Sequence, residues 1–162
     1  MIVVDSNVVA YYWIRGEPTG IAQLVRRRDR EWHVPILWRS EMRNALAGHL
    51  RHGTIDEERA FAVMASAEAD LIGFEHQASS NAVLRLVARS SLSAYDCEFV
   101  ALAQALSVPL VTEDRAILKA FPDVALTMEA FLRQSSPATP TAHEKRPRYK
   151  TAKPGARRRL AA

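Results

Sequence analysis

The chain has 162 residues, 48% of them hydrophobic, with 22 Lys and Arg against 18 Asp and Glu. That length favours one domain, and the composition can build an ordinary core. A single cysteine, Cys97, excludes a disulfide framework and a thiolate zinc site, and no run of about 18 apolar residues offers a membrane span.

The net charge of +4 conceals a division. Residues 136–162 hold eight Lys or Arg and one acid, Glu144, for +7, whereas residues 1–135 hold fourteen Lys or Arg and seventeen acids, for −3. The body is mildly acidic and the tail strongly basic. The opening stretch, M-I-V-V-D-S-N-V-V-A-Y-Y-W, lacks the basic start and small-residue cleavage site of a secretory signal, so a cytoplasmic location is expected.

In chain order, Ile2-Val3-Val4 is a short β-branched run, as expected of a buried parallel strand. It ends at Asp5. Asn7 is a candidate cap for a helix carrying Val8, Val9, Tyr12 and Trp13. Glu17 to Gly20 reads as a turn into a second helix, through about Arg30. Trp32–Pro35 is a weak second strand. A helix from Ile36 to about Arg51 sets Leu37, Glu41 and Asn44 on one face. Asp56-Glu57-Glu58 opens another helix, where the dipole favours acids.

Leu71-Ile72-Gly73-Phe74 reads as a strand, and 80–89 as a helix. Ser93 precedes a longer helix with Tyr95, Phe99, Leu102 and Leu106 on one stripe and Asp96 in its first turn, an S-x-x-D capping pattern. Pro109–Thr112 is a buried strand followed at once by Asp114. Asp123–Leu126 suits an edge strand before a last helix, Met128 to about Arg133. Strands alternating with helices argue for a parallel sheet covered on both faces, with ligands beyond the carboxyl ends of its strands. Residues 1–134 then form one domain. Residues 135–162 form a basic tail, rich in Pro, Ala, Thr, Lys and Arg, expected to be disordered when free.

Asp5, Glu41, Asp96 and Asp114 each lie at the edge of an apolar segment, where an uncompensated carboxylate is costly. Singly, each has a plain role: a cap at Asp5 and Asp96, a solvated helix residue at Glu41, a helix start at Asp114. Together, converging on one cleft, they call for a divalent cation such as Mg²⁺ or Mn²⁺, which takes oxygen ligands.

The surrounding strings are I-V-V-D-S-N-V-V-A-Y, V-P-I-L-W-R-S-E-M-R-N-A-L, S-A-Y-D-C-E-F-V-A-L-A and P-L-V-T-E-D-R-A-I-L. In order and spacing they resemble the motifs of PIN-domain ribonucleases, in particular the VapC toxin branch of toxin–antitoxin pairs, over about residues 1–133. The resemblance implies an α/β/α sandwich around a small parallel sheet and metal-dependent cleavage of RNA. It also implies a cognate antitoxin protein and a homodimer. Asp5, Glu41, Asp96 and Asp114 match the family's acidic metal-site positions; Asn7 and Thr112 match polar positions beside them; Asn44 matches the residue one helical turn beyond the second acid.

The chemistry is consistent with this. Phosphodiester hydrolysis needs a deprotonated water and neutralisation of charge on phosphate and leaving oxygen, and bound divalent ions supply both. Asp5 and Asp96 are the expected principal ligands, with Glu41 and Asp114 on a second ion or on water. Arg15, Arg39, Arg43 and Arg115 are candidates for a basic rim receiving RNA. Arg26, Arg27, Arg28 and Arg30 suit a solvated helix end, with an RNA-backbone contact as the minor reading. The basic tail suits a salt-dependent phosphate binder, an inert extension or a partner contact, with the first favoured.

Two rivals stand. One is a non-catalytic RNA- or protein-binding module of the same fold. The other is a metal-dependent phosphatase of the haloacid dehalogenase type, which would want an aspartate at the position of Asn7.

Overall fold

A computed structural model describes residues 1–134; the tail expected to be disordered lies outside the described residues. The elements run β1 (Ile2–Val4), α1 (Ser6–Trp13), α2 (Thr19–Arg28), β2 (Trp32–Pro35), α3 (Trp38–Arg51) and α4 (Glu57–Leu71). They continue as β3 (Glu75–His76), α5 (Ser80–Val87), α6 (Ala94–Leu106), β4 (Leu110–Val111), α7 (Arg115–Ala120), β5 (Ala125–Leu126) and α8 (Met128–Arg133). The strands form one parallel sheet in the order β3-β2-β1-β4-β5.

Side-chain alternation along these short strands divides the core in two. Ile2 and Val4 of β1, Trp32 and Val34 of β2 and Val111 of β4 pack on one face with α1–α4 and α8. Val3, Leu110 and Ala125 point to the other face, under α5, α6 and α7. The result is the expected α/β/α sandwich.

β1 is central, with β2 and β3 on one side and β4 and β5 on the other. Chain direction across the sheet therefore reverses at β1, and beyond the carboxyl ends of β1 and β4 is where sheets of this kind form a ligand crevice. Asp5 follows β1; Thr112 and Asp114 follow β4.

Four local expectations are corrected. The third strand is Glu75–His76 rather than Leu71–Phe74: α4 holds its helix through Leu71, and Gly73, at φ +87°, makes the turn. Asn7 is no cap; Asp5 occupies that position and Asn7 lies inside α1. Tyr95 leaves the apolar stripe of α6 and is exposed, because the buried face runs through Cys97, Phe99, Val100 and Leu102. Helix ends at Arg30, Ile36 and Arg89 retreat to Arg28, Trp38 and Val87.

Candidate metal centre

Asp5 leaves β1 with its amide bonded to Val111 O at 3.0 Å, which ties the ends of β1 and β4 together. Its side chain is buried. Asp5 Oδ2 accepts from Asn7 Nδ2 at 2.9 Å and from the Thr112 hydroxyl. Thr112, fully buried, is a hub. Its Oγ1 also accepts from Asn7 Nδ2 at 3.2 Å and from the Asp114 amide at 2.9 Å. One hydroxyl thus fixes the Asp5 carboxylate and the loop presenting Asp114. Asn7 Oδ1 in turn accepts from the Glu113 amide at 3.3 Å.

Glu113 itself turns away, its Oε1 accepting the Met128 amide at 2.8 Å to start α8. The two adjacent acids of T-E-D are thereby sorted, one to structure and one to the crevice.

Asp114 caps α7, with Oδ1 taking the amides of Ala116 at 2.7 Å and Ile117 at 3.1 Å. Asp96 completes a capping box on α6: its Oδ2 accepts from Ser93 N at 3.1 Å and Ser93 Oγ at 2.8 Å. Each of these acids spends a single oxygen on its cap. Capping and exposure to the crevice coexist.

Glu41 stands in the first turn of α3, half-buried. Its Oε2 is buried without a hydrogen-bond partner among the described residues, as is Ser6 Oγ at the start of α1. The Ser6 hydroxyl is close enough to favour the Glu41 carboxylate, at a geometry short of a proper bond.

The electrostatics show which acids meet. Burial pushes the Asp5 carboxyl up, the Thr112 hydroxyl and the Asn7 and Ser6 amides hold it down, and nearby Asp114 pushes it up again. Burial also raises Glu41, opposed by Ser6 and reinforced by Asp5, Asp96 and Glu98. Asp5 thus feels Asp114, and Glu41 feels Asp5, Asp96 and Glu98, which links the acids in one row; among the described residues no lysine or arginine is a leading influence on Asp5 or Glu41.

Asn44 is exposed and makes no side-chain hydrogen bond to the acids among the described residues. Glu98 and Ser6 join the site without having been anticipated. Glu98 lies two residues beyond Asp96, a spacing that does not share a helix face. Its trace in the sequence is an acid between the core residues Cys97 and Phe99, itself raised by burial.

The expected rim loses Arg39. That side chain pairs with Glu68 and Glu75. The α2 arginines are also partly structural: Arg26 pairs with Asp70 at 2.6 Å and lies over Trp32, and Arg28 donates to Leu132 O at 2.8 Å.

The family profile described as the PIN domain matches residues 2–123, three-quarters of the chain and all four crevice acids. The chain belongs to the PIN domain family. Solved structures with the same PIN fold include PAE2754 from Pyrobaculum aerophilum. It is 22% identical with a TM-score of 0.65, over 81% of this chain and 92% of that one. FitAcB from Neisseria gonorrhoeae is 15% identical with a TM-score of 0.65, over 80% of this chain and 99% of its own. FitAB bound to an IR36 DNA fragment is 15% identical with a TM-score of 0.61, over 79% and 95%. A search of the curated proteins found no match.

The residues suit a hard divalent cation in kind: all donors are oxygens, and a buried Glu41 oxygen has no partner. In position they form a row rather than a closed cage. Among the described residues, no three His, Cys, Asp or Glu side chains come close enough to hold one ion as they stand.

Proposed function

We propose that this PIN domain is a Mg²⁺- or Mn²⁺-dependent endoribonuclease that acts as the toxin of a toxin–antitoxin pair. The observation carrying this reading is the acidic row at the carboxyl ends of β1 and β4, with no balancing lysine or arginine and an unpartnered Glu41 oxygen among the described residues. A carboxylate row without its own cations is costly to bury and gains from a shared divalent ion.

Asp5, Glu41, Asp96 and Asp114 would hold the metal. Bound there, it would supply a nucleophile from water at neutral pH and neutralise charge on the scissile phosphate. Thr112 and Asn7 hold Asp5 Oδ2 in one orientation, the role of partners behind a ligand. Engagement of Asp96 and Asp114 requires their side chains to present the oxygen not used in capping.

RNA enters as a single strand or loop, whose backbone is exposed enough to reach a crevice. Arg43 and Arg115 are exposed near the acids in sequence and remain rim candidates. The antitoxin partner and the homodimer follow from the resemblance to VapC toxins. They accord with structural neighbours whose names include a FitAB assembly on DNA. Among the described residues no helix is long and apolar enough to cross a membrane.

Mapping cleavage ends on total RNA, with and without Mn²⁺, beside Asp5→Asn, tests the reading. Discrete Mn²⁺-dependent ends that vanish in the variant are expected. A folded wild-type chain that leaves RNA intact with Mn²⁺ would favour the binding-module alternative.

A further inference from the structure

The first turn of α3 carries Glu41 into the crevice, yet that turn has no cap of its own. Leu37, at the cap position, has a helical backbone and makes no side-chain cap bond; the Ile36 and Leu37 carbonyls take the amides of Arg39, Ser40 and Glu41. The turn's side chains are anchored from the sheet edge. Trp38 is fully buried and its Nε1 donates to Glu75 Oε1 at 2.7 Å. Arg39 forks onto the same carboxylate, Nε to Oε1 at 2.6 Å and Nη2 to Oε2 at 2.9 Å, and also pairs with Glu68 of α4.

A planar fork fixes direction as well as distance. Two consecutive residues, pinned to one carboxylate, set the rotation of α3 about its axis. Glu41 lies three residues beyond Trp38, on the same helical face.

Glu75 is well placed for this task. β3 consists of two residues, in register with β2 through Val34↔Glu75 and Pro35↔His76. α3 begins three residues after β2 ends. The strand that precedes α3 and the strand that grips it are therefore neighbours in the sheet.

We propose that Glu75, acting through Trp38 and Arg39, is a positioning residue for Glu41 in the metal centre. It touches neither metal nor substrate. This rests on the metal-site reading above.

The test is a double-mutant cycle on Mn²⁺ affinity, measured by titrating the full-length chain well below its melting temperature. Glu75→Gln keeps an acceptor for Trp38 but loses the charged fork; Trp38→Phe keeps ring bulk but loses the donor. Each should raise the Mn²⁺ dissociation constant about tenfold in the wild-type background, as loss of an outer partner does. In a Glu41→Gln background each should change it less than about twofold, because the positioned group is already gone.

A merely structural role would lower melting temperature and leave affinity alone, or shift affinity equally in both backgrounds; either result overturns the proposal and spares the metal site. A wild-type chain that binds no Mn²⁺ overturns both. If Glu75→Gln folds poorly, Trp38→Phe carries the same comparison.

Discussion

Glu41 and Glu75 are the same residue type, one in the first turn of α3 and the other bonded to that turn, and they behave oppositely. Glu75 has Arg39 and Trp38, and those bonds hold its carboxyl below the usual range despite burial. Glu41 has a buried oxygen with no partner, and burial with three acid neighbours drives its carboxyl up. Around β3 the chain supplies its own cation and the acid becomes a clamp. At the acidic row, among the described residues, no lysine or arginine plays that part for Asp5 or Glu41. A compensated acid speaks for structure; an uncompensated row speaks for a ligand.

Substitutions should separate the two regions. The largest effect belongs to Asp5→Asn, which should cut metal-dependent RNA cleavage by more than the roughly 10–100-fold that loss of an outer partner costs, while circular dichroism shows an intact fold. Thr112→Val removes the hydroxyl shared by Asp5, Asn7 and the Asp114 amide. It should fall within that 10–100-fold range in Mn²⁺ affinity.

On stability, the signs should oppose. Glu75→Gln breaks a charged hydrogen-bond fork and should cost roughly 2 kcal/mol in denaturant unfolding. Glu41→Gln relieves repulsion and should raise metal-free stability by about 0.5–1 kcal/mol.

The pH dependence divides likewise. Asp5 and Glu41 sit above their ordinary values of 3.8 and 4.5, so the native state binds their protons more tightly than the unfolded chain. Their contribution is present at low pH and is lost as pH rises through the raised values. Mn²⁺ should remove that loss, visible as a melting-temperature gain that grows with pH.

His33 runs the other way. Its Nδ1 shares a hydrogen bond with His76 Nε2 at 2.7 Å across β2 and β3. Burial and then His76 lower it from the ordinary 6.5, while Glu31 and Asp29 oppose the shift and the chain's amino terminus adds to it. The stability His33 contributes is full above about pH 6.5 and falls away as pH drops through its lowered value. His33→Gln should flatten that small acid-side slope.

Much of this was legible in the sequence because it was local. A β-branched run marked β1, S-x-x-D marked the box at Ser93 and Asp96, and Asp56 marked the start of α4, whereas β2, W-H-V-P, was only weakly marked. The four acids stood out as charges at apolar edges. What stayed hidden depended on tertiary partners. Arg39 looked like a free rim cation until Glu68 and Glu75, 29 and 36 residues away, claimed it. Asn7 looked like a cap, though its amide bridges Asp5 to Thr112 across 105 residues of chain. Phe74 read as strand because no apolar pattern marks where a left-handed Gly73 ends a helix instead.

The central claim concerns cation capture by the acidic row, and direct titration tests it. Metal-free protein would be titrated with Mn²⁺ beside Asp5→Asn, Glu41→Gln, Asp96→Asn and Asp114→Asn, with bound ion counted by electron paramagnetic resonance. Saturable binding by the wild-type chain, weakened in every variant, is the predicted result. No binding, or binding that all four neutralised chains retain in full, would contradict it.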